Sequence, residues 1–482
     1  MYDVTIIGGG VIGASIAREL SRYHGKVLLI EKEKDVSLGV TKANSGIVHG
    51  SYATDHGTLK GELSAKGNPM YQSLNEELNF GFRKTGALVV GFTEEDEKRI
   101  QELYQNGKKY GESEEELQII GPDKIKELEP YSNPDIKIAL FSKNVGVTSP
   151  YEMTIALVEN AMTNGVEVLL GKKVEGIKKQ EDGFVIDAEG ERVETTYLVN
   201  AAGLYSDEIA KMVGVTKYTV TPRKGQYILF GKDQGHLVNH VIFQVPNAKG
   251  KGILVTTTYH GNFMIGPNAE EVSDRADLST TKASLQYIID SARRSIPDFK
   301  LQRAITTFSG LRASIKEKDF IIEGEQVPGM INLIGIDSPG LTAAPAIGKK
   351  VTEMLHQRGL SLKLKEEFNA YRAPLVRQKP KDFDGSTEDQ DPKKKIICRC
   401  ETVTEAEIVE SFKRGLPVES IQSLKFRTRA GMGQCQGAYC GSRVRSLMER
   451  ELGIPEEKIP MNSHREDKPV SKVDLREIRK MT

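Results

Sequence analysis

The sequence predicts a mixed α/β protein in three parts: a nucleotide-binding domain built on a parallel sheet, an inserted antiparallel β-sheet domain, and a small α-helical domain at the carboxyl end. Three observations predict this fold class. A strand, a glycine-rich turn and a helix follow one another in DVTIIGGGVIGASIAREL. Stretches such as TPRKGQYILF alternate as antiparallel strands do. All four cysteines lie near the carboxyl end, among short helical patterns.

The amino-terminal strand and turn predict a dinucleotide site. Residues 3–7 are rich in β-branched side chains, as a buried parallel strand should be, and Gly8, Gly10 and Gly13 follow at G-x-G-x-x-G spacing. Gly8 permits the tight turn, Gly10 lets the backbone approach a pyrophosphate, and Gly13 lets helix and strand pack closely. The second strand ends at Glu31, whose carboxylate can accept a hydrogen bond from a ribose hydroxyl. A Rossmann-type domain is therefore expected.

The charge balance and the apolar pattern limit the expected partners and location. The 482 residues include 67 Lys plus Arg and 67 Asp plus Glu, which gives no reason to expect nucleic acid. No apolar run approaches the ~20 residues that cross a bilayer, and the amino terminus lacks the pattern of a secretory signal. We expect a cytoplasmic protein, held at the membrane at most through a partner. Thiols stay reduced there, so clustered cysteines favour a metal over disulfides.

Three later segments have the composition of cofactor loops. TKANSGIVHG, residues 41–50, is rich in small and polar residues, as a loop against a cofactor would be. TTYLVNAAG, residues 195–203, predicts a strand that ends in small residues. INLIGIDSPGLTAAPAIGKKVTEML, residues 331–355, predicts a strand, a glycine turn and a helix. The first N–H groups of that helix could stabilise negative charge on a reduced cofactor ring.

Together these segments resemble the D-amino-acid-oxidase-type FAD superfamily, over roughly residues 1–370. The resemblance implies an α/β FAD-binding Rossmann-type domain with an inserted antiparallel β-sheet substrate domain, and FAD with its AMP half on the glycine turn. There is no second G-x-G-x-x-G, so a separate NAD site is not expected. The cofactor-binding residues that the resemblance implies are Gly8, Gly10, Val11, Ile12, Gly13, Glu31, Lys32, Thr41, Asn44, Ser45, Gly46, Val48, Val174, Ala202, Gly203, Gly310, Gly340, Leu341 and Thr342.

Five residues are candidates for the substrate side, where a base should take a hydroxyl proton and a cation should hold an anionic group. His49 follows the expected flavin loop, where L-2-hydroxyglutarate and glycerol-3-phosphate dehydrogenases carry a histidine. Arg312, in FSGLRAS, matches the superfamily arginine that holds the substrate carboxylate or phosphate. Tyr259 and His260 are strand neighbours, of which only one should face the pocket. Arg223 is the fifth candidate.

The four cysteines form a C-x-C pair and a C-x4-C pair: Cys398 with Cys400, and Cys435 with Cys440. Four thiolates suit zinc or an iron–sulfur cluster, and C-x-C is unusual for structural zinc. The segment, including TRAGMGQCQGAYCG, resembles the bacterioferritin-associated-ferredoxin type of [2Fe–2S] domain over about residues 396–452. The resemblance implies that the four cysteines bind a [2Fe–2S] cluster, with zinc or a metal-free module as the alternatives.

Composition also predicts where the parts of the chain begin and end. A proline- and charge-rich stretch at 373–395 predicts a linker, and the charged, proline-broken end predicts a poorly ordered or partner-docking tail. The expected division is an FAD-dependent oxidoreductase over 1–372 (FAD-binding parts 1–75, 146–216 and 301–372; substrate domain 76–145 and 217–300), the linker 373–395, a [2Fe–2S] domain over 396–455 and the tail 456–482.

The two resemblances imply an FAD-dependent dehydrogenase that oxidises a small anionic alcohol. Glycerol 3-phosphate is the expected substrate and dihydroxyacetone phosphate the expected product. The cluster would pass electrons to a partner subunit or a quinone-linked protein. Three alternatives stay open from the sequence: an L-2-hydroxy acid dehydrogenase such as one for 2-hydroxyglutarate, an amine or imino-acid dehydrogenase subunit, and a non-catalytic electron-transfer subunit.

Overall fold

The computed structural model of the protein describes residues 1–246, 252–465 and 470–481. Its strands are β1 Tyr2–Ile7, β2 Val27–Ile30, β3 Ile47–Val48, β4 Phe82–Lys84, β5 Ala87–Gly91, β6 Leu117–Ile120, β7 Ile138–Ser142, β8 Gly146–Thr148, β9 Glu167–Leu169, β10 Val174–Gln180, β11 Gly183–Ala188, β12 Glu191–Asn200, β13 Thr221–Phe230, β14 Val241–Gln244, β15 Val255–Thr257, β16 Phe263–Ile265, β17 Glu270–Glu271, β18 Ala304–Ser314, β19 Ile321–Glu323, β20 Met330–Ile334, β21 Ile396–Cys398 and β22 Val403–Thr404.

The helices connect these strands and build the carboxyl-terminal part. They are α1 Val11–Leu20, α2 Leu59–Gly67, α3 Met70–Leu78, α4 Glu94–Lys109, α5 Pro122–Leu128, α6 Pro150–Thr163, α7 Ser206–Met212, α8 Lys282–Arg293, α9 Gly340–Gln357, α10 Glu405–Ser411, α11 Ile421–Thr428, α12 Gly441–Leu452 and α13 Leu475–Ile478. Among the described residues, none of these helices has both the length and the apolar character needed to span a bilayer.

The first sheet has eight strands and a parallel centre. Its main path runs β10-β11-β12-β1-β2-β9, with β20 beside β12 and β19 beside β20. The β1–β2, β1–β12, β2–β9 and β12–β20 pairs are parallel, while β10–β11, β11–β12 and β19–β20 are antiparallel. Helices α1, α6 and α9 share a buried core with this sheet. The predicted α/β nucleotide-binding architecture is present, and it places the end of β1 beside α1.

The turn between β1 and α1 has the close contacts that demand glycine. Gly8 has a φ of +115°, and a Cβ there would lie 2.4 Å from the carbonyl oxygen of Ala201. A Cβ on Gly13 would lie 1.9 Å from the carbonyl oxygen of Gly8. Any side chain at either position would force the helix away from the strand. The motif therefore holds the start of α1 against the edge where β1 and β12 end.

The second sheet has nine strands and is almost entirely antiparallel. Its main path runs β17-β13-β16-β15-β14-β5-β7-β6, and β18 pairs with the other side of β13. The β14–β5 pair is parallel, so the sheet departs from the purely antiparallel arrangement that was expected. The predicted boundary at residue 301 also assigned β18 to the FAD-binding part. β18 instead pairs with β13 from Thr221–Ser314 to Phe230–Ala304, because two long strands in register bond along their whole length.

The carboxyl-terminal module is a short hairpin with three helices. The β21–β22 pair is antiparallel, and α10 begins with a capping box between Thr404 and Glu407. Apolar residues from the hairpin and from α10, α11 and α12 form a small core that includes Cys398 and Cys440. A core of this size buries little apolar surface, so a bound metal should contribute to its stability.

A buried ion pair joins this module to the first sheet. Arg427 in α11 donates to both carboxylate oxygens of Asp35 at 2.7 and 2.9 Å, and the two side chains are 0% and 1% exposed. Beside it, the rings of Tyr151 and Phe426 stack with centroids 4.7 Å apart. The loop after β2 and the start of α6 therefore form the surface on which the module sits.

The described part of the carboxyl-terminal segment is packed against the folded body, whereas the sequence predicted a poorly ordered or partner-docking tail. The N–H of Ile421 donates to the Pro460 carbonyl at 3.0 Å. Further along, Ile478 and Met481 are buried in the core of the second sheet. The high charge of the segment predicted disorder, but its few apolar residues fall where the folded body offers an apolar surface.

The buried ion pair makes a testable contribution to stability. Arg427→Ala should lower the free energy of unfolding by about 3 kcal/mol, because it leaves the Asp35 carboxylate buried without its cation. Urea unfolding of the cofactor-loaded protein measures the change. The matched control is Arg99→Ala, which removes an exposed pair with Glu102 and should cost below ~1 kcal/mol. Equal effects of the two substitutions would contradict the assignment.

Candidate active site

A cavity of about 1540 Å³ lies between the two sheets and reaches from the glycine turn to β18 and the start of α9. Pockets for drug-sized ligands occupy about 300–1,000 Å³, so this cavity has room for a dinucleotide and a small substrate. The predicted cofactor residues that line it are Gly8, Gly10, Val11, Ile12, Glu31, Lys32, Thr41, Asn44, Ser45, Val174, Ala202, Gly203, Gly310, Gly340 and Leu341.

Four predicted cofactor residues lie outside the lining of the cavity. Gly13 packs α1 onto the turn, as described above. Gly46 has a φ of +67° and approaches the Thr148 carbonyl, where a Cβ would be 2.5 Å away. The side chain of Val48 packs in the core beside the first sheet and is 0% exposed. Thr342 is fully buried and its hydroxyl accepts the N–H of His49 at 2.9 Å. These four residues therefore pack beneath the residues that line the cavity.

The glycine-turn end of the cavity has the features of a diphosphate and ribose site. Gly10 precedes the first turn of α1, whose N-terminus favours an anion. The Thr41 hydroxyl accepts the N–H of Val11 at 3.1 Å and so ties the cofactor loop to the turn. The Glu31 carboxylate accepts the N–H groups of Gly9 at 2.6 Å and Glu33 at 2.9 Å. Burial raises the pKa of Glu31. The residues present fit the AMP half of FAD.

His49 lies at the other end of the cavity on a tightly held backbone. Its side chain lines the cavity and is mostly buried, at 7% exposure. Its backbone N–H donates to Thr342, and its carbonyl accepts from the Asn68 side chain at 2.8 Å. The imidazole lies 5.6 Å from the ring of Phe243, measured between centroids. The position of the imidazole is thus set by contacts from α2, α9 and the second sheet.

Two arginines face each other in the cavity wall. Arg223 on β13 and Arg312 on β18 are direct cross-strand partners, and both line the cavity. Arg312 donates to the carbonyl of Asn268 at 3.4 Å, and neither arginine forms a salt bridge with any described residue. Glu271 is the cross-strand neighbour of Arg223 on the other side. Like charges directly opposite each other are unfavourable, so this wall is suited to an anion.

Three lysines at the same end of the cavity were not predicted. Lys316 and Lys318 follow β18 and are exposed at the cavity mouth. Lys60 in α2 also lines the cavity and pairs with Asp337 at 2.6 Å. The two lysines of KEKD, residues 316–319, follow Arg312 closely in the sequence and were a usable signal for the first two. Lys60 gave no such signal, because its neighbours in the cavity are distant in the sequence.

Tyr259 and His260, both predicted as active-site candidates, lie outside the described lining of the cavity. They occupy the turn between β15 and β16 rather than a strand. His260 Nε2 lies 2.8 Å from a carboxylate oxygen of Glu152 at the start of α6. The Tyr259 ring packs against Gly81. The alternation of side chains along a strand does not apply within a turn. In this turn, both rings lie on the side of α6.

The four cysteines form two pairs. The sulfur atoms of Cys400 and Cys435 lie 3.7 Å apart, and the thiols of Cys398 and Cys440 are hydrogen-bonded to each other. Two thiolates bound at about 2.3 Å to one tetrahedral metal lie about 3.8 Å apart. Across the described residues, no three ligating side chains gather around a single metal ion. The Cys400–Cys435 pair thus has the spacing of two thiolates bound to one metal atom.

The surroundings of the thiols also favour a cluster. The hydrogen bond from the Cys440 thiol, against the opposing effect of burial, lowers the pKa of Cys398 to about 6. The backbone N–H of Gly431 acts in the same direction. A Cβ on Gly433 would lie 2.1 Å from the Cβ of Cys400, so the loop passes too close for any side chain. Cys398 and Cys440 are buried and Cys400 is exposed, so one edge of the cluster site faces solvent.

Two family models match the chain. The FAD dependent oxidoreductase family matches residues 3–354, and the BFD-like [2Fe-2S] binding domain matches residues 396–450. The first match covers more than half of the chain, and the second contains all four cysteines. The predicted superfamily, FAD and the [2Fe–2S] cluster are thereby confirmed.

Three relatives extend the comparison. A protein of Caloramator mitchellensis described as glycerol 3-phosphate dehydrogenase is 46% identical over 94% of this chain and 95% of its own length. The glycerol 3-phosphate oxidase of Mycoplasma genitalium is 32% identical over 76% of this chain and 96% of its own. The structure of dithionite-reduced L-alpha-glycerophosphate oxidase from Mycoplasma pneumoniae, with FAD bound, is 31% identical, covers 77% of this chain and 98% of its own, and has a TM-score of 0.73.

The glycine turn can be tested by its effect on FAD binding. Gly13→Ala should weaken FAD binding by at least about tenfold, because its Cβ would collide with the Gly8 carbonyl and displace the start of α1. Fluorescence titration of the apoprotein with FAD measures the affinity. Gly121→Ala is the control, since a Cβ there meets no atom within 4 Å, and it should bind FAD normally. Unchanged binding by Gly13→Ala would refute the geometry.

The cysteine pairs can be tested separately from the flavin site. Cys398→Ser should abolish iron binding and leave FAD in place, because it removes one of four ligands from a module outside the cavity. Iron and acid-labile sulfide per chain, measured after anaerobic purification, give the first result, and flavin absorbance gives the second. Ser442→Ala, an exposed change in α12, should retain both. Full iron content in Cys398→Ser would remove that residue from the ligand set.

The site has therefore two chemically distinct centres on one chain. The cavity presents a diphosphate turn at one end and a histidine with two arginines at the other. The cysteine module provides two thiol pairs at a suitable spacing. FAD supplies two-electron oxidation in the first centre and the [2Fe–2S] cluster supplies one-electron transfer in the second. On this geometry and the matches to both domains, the chain belongs to the FAD-dependent oxidoreductase family and carries a BFD-like [2Fe–2S] binding domain.

Proposed function

We propose that this enzyme oxidises glycerol 3-phosphate to dihydroxyacetone phosphate and delivers the electrons through its [2Fe–2S] cluster to a separate acceptor. The single observation that carries the proposal is the cross-strand pair Arg223–Arg312, which lies in the same cavity as His49 and the FAD residues. The names of the relatives with at least 30% identity, a glycerol 3-phosphate dehydrogenase and glycerol 3-phosphate oxidases, support the same substrate.

The arginine pair favours a phosphate over a neutral substrate group. Two guanidinium groups provide several N–H donors in planar forks, which match phosphate oxygens, and a dianion relieves their mutual repulsion. Lys316 and Lys318 at the mouth add positive charge that attracts an anion on its way in. In the proposal, Arg312 anchors the phosphate and Arg223 shares it.

His49 is the proposed base. Oxidation of the secondary alcohol removes a hydride from carbon and a proton from oxygen, and FAD, when bound, accepts the hydride. A ring nitrogen of His49 would take the hydroxyl proton, which leaves the ketone. The Thr342 and Asn68 contacts hold the backbone that carries the imidazole. Its burial keeps the proton transfer away from bulk water.

The contact between the module and the oxidoreductase part supports electron transfer within the chain. The N–H of Thr148 donates to the Gly46 carbonyl, in the expected flavin loop, at 2.7 Å. Three residues further, the Tyr151 hydroxyl accepts from Arg429 at 2.8 Å. Arg429 also donates to Glu401 at 2.9 Å, and Glu401 follows Cys400 directly. A short, continuous run of contacts thus connects the flavin loop to a cluster ligand.

The exposed side of the cluster site is the proposed exit for electrons. Cys400 is exposed, and the nearby Tyr439 side chain is 83% exposed. A partner protein could approach this side more closely than it could approach the flavin cavity. The acceptor is proposed to be a partner subunit or a quinone-linked protein.

The substrate assignment is tested by flavin bleaching. Anaerobic addition of glycerol 3-phosphate should bleach the flavin absorbance of the purified enzyme, while 2-hydroxyglutarate and proline should not. Arg312→Met should keep FAD but lower kcat/KM for glycerol 3-phosphate by about 10²-fold or more, because a buried charge contact with the phosphate is lost. Stopped-flow spectroscopy measures the rate of bleaching.

The control and the opposing outcomes separate the alternatives. Arg192→Ala removes an exposed arginine on β12, with a side chain 69% exposed, and should bleach at the normal rate. Faster bleaching by 2-hydroxyglutarate or by proline would replace the proposed substrate. A flavin that none of the three compounds bleaches would argue for the electron-transfer subunit. Normal kinetics in Arg312→Met would remove that residue as the phosphate anchor.

A further inference from the structure

Two described parts of the carboxyl-terminal segment contact the rest of the protein: residues 459–465 at the cluster module and residues 470–481 at the second sheet, and each part contributes to the lining of the cavity. We call residues 459–465 and 470–481 the strap. At its first end, the Met461 carbonyl accepts the N–H of Gln422 at 3.0 Å. Ser463 is buried and its hydroxyl lies 2.5 Å from that of Ser420. This end of the strap is therefore fixed to the start of α11.

The strap next contacts the loop that follows β2. The N–H of Lys34 donates to the Ser463 carbonyl at 3.1 Å, and the N–H of Arg465 donates to the Glu33 carboxylate at 2.7 Å. His464 Nδ1 lies 3.5 Å from the same carboxylate. Although burial opposes it, these hydrogen bonds lower the pKa of Glu33 to about 2. The contact thus joins the strap to the loop that also carries Glu31.

The far end of the strap is anchored on the second sheet. The Ser471 carbonyl accepts the N–H of Thr280 at 3.1 Å, and the N–H of Val473 donates to the Thr280 hydroxyl at 3.0 Å. Ile478 and Met481 are buried in the core of that sheet. His464, Arg465 and Val470 line the cavity along with the glycine turn.

One strap residue contacts a lysine beside the diphosphate turn. Lys42 Nζ lies 2.5 Å from His464 Nε2, and Lys42 lines the cavity. Its neighbour Thr41 accepts the N–H of Val11 in the turn itself. Burial lowers the pKa of Lys42 to about 8, with Lys472 acting in the same direction and Glu33 opposing it. The Glu33 carboxylate acts on Lys42 from a distance, since His464 lies between the two side chains and contacts both.

We propose that the strap is part of the dinucleotide site: His464 holds Lys42 toward the FAD diphosphate, and the strap closes this end of the cavity so that FAD leaves slowly. The ammonium supplies a cation that the turn, with its N–H groups alone, does not provide. The proposed contact of the Lys42 ammonium requires a diphosphate, which FAD carries. It does not depend on which substrate is oxidised at the other end of the cavity.

The test compares FAD release from the holoenzyme and its variants. Lys42→Met and His464→Ala should each speed FAD dissociation by about tenfold, since each removes a charge-assisted contact or its support. Dissociation is followed by the recovery of flavin fluorescence after dilution. Arg476→Ala is the matched control in the same segment, because that exposed side chain pairs only with Asp474 among the described residues. It should release FAD within twofold of the unmodified protein.

A second measurement needs no substitution. Hydrogen exchange of the peptide that covers residues 459–465 should slow when FAD is added to the apoprotein, because a strap that holds FAD must also be held by it. FAD release unchanged in both variants, or exchange that FAD does not slow, would overturn the proposal. Normal FAD release in the two variants would refute the strap proposal even if their flavin were bleached slowly by substrate. Slow bleaching alone would indicate a defect at the substrate end of the cavity.

Discussion

The loop that follows β2 is the point on which the arrangement of this enzyme depends. Its sequence EKEKD places carboxylates at alternate positions. Glu31 accepts the N–H of Gly9 in the diphosphate turn, Glu33 accepts the N–H of Arg465, and Asp35 pairs with Arg427. One short loop therefore contacts the dinucleotide site, the carboxyl-terminal strap and the cluster module. The three partners come from different parts of the sequence. Because all three contact this one loop, the loop fixes their positions relative to one another.

The docking of the cluster module uses a buried ion pair rather than apolar contact alone. Removing two charges from water costs several kcal/mol per ion, and a bidentate geometry recovers this only when both partners are present. The contact is therefore specific in position, although its net stabilisation is small. Electron transfer between two centres needs such a fixed position. The stacked rings of Tyr151 and Phe426 and the Arg429 contacts lie next to the pair and extend the same interface.

The two ends of the cavity differ in how they could stabilise an anion. At the turn, backbone N–H groups and the start of α1 favour a diphosphate without any net charge. At the other end, Arg223 and Arg312 provide full charges on facing strands of a rigid sheet. Under the proposed function, the second arrangement is costly when empty and favourable when a phosphate is present, so it would discriminate against neutral ligands. The proposed Lys42–His464 contact would add one full charge to the first end.

Sequence alone was sufficient wherever the physical constraint is local. The glycine spacing and the capping box at Thr404 are each set by residues a few positions apart, and the structure contains both. The sequence motifs supply the four cysteines, but the fold brings Cys400 to Cys435 rather than to its sequence neighbour Cys398. Tertiary structure alone decided that Tyr259 and His260 turn toward α6, that β18 belongs to the second sheet and that the charged carboxyl end is packed. Those outcomes depend on surfaces contributed by residues far away in the chain, which no local pattern encodes.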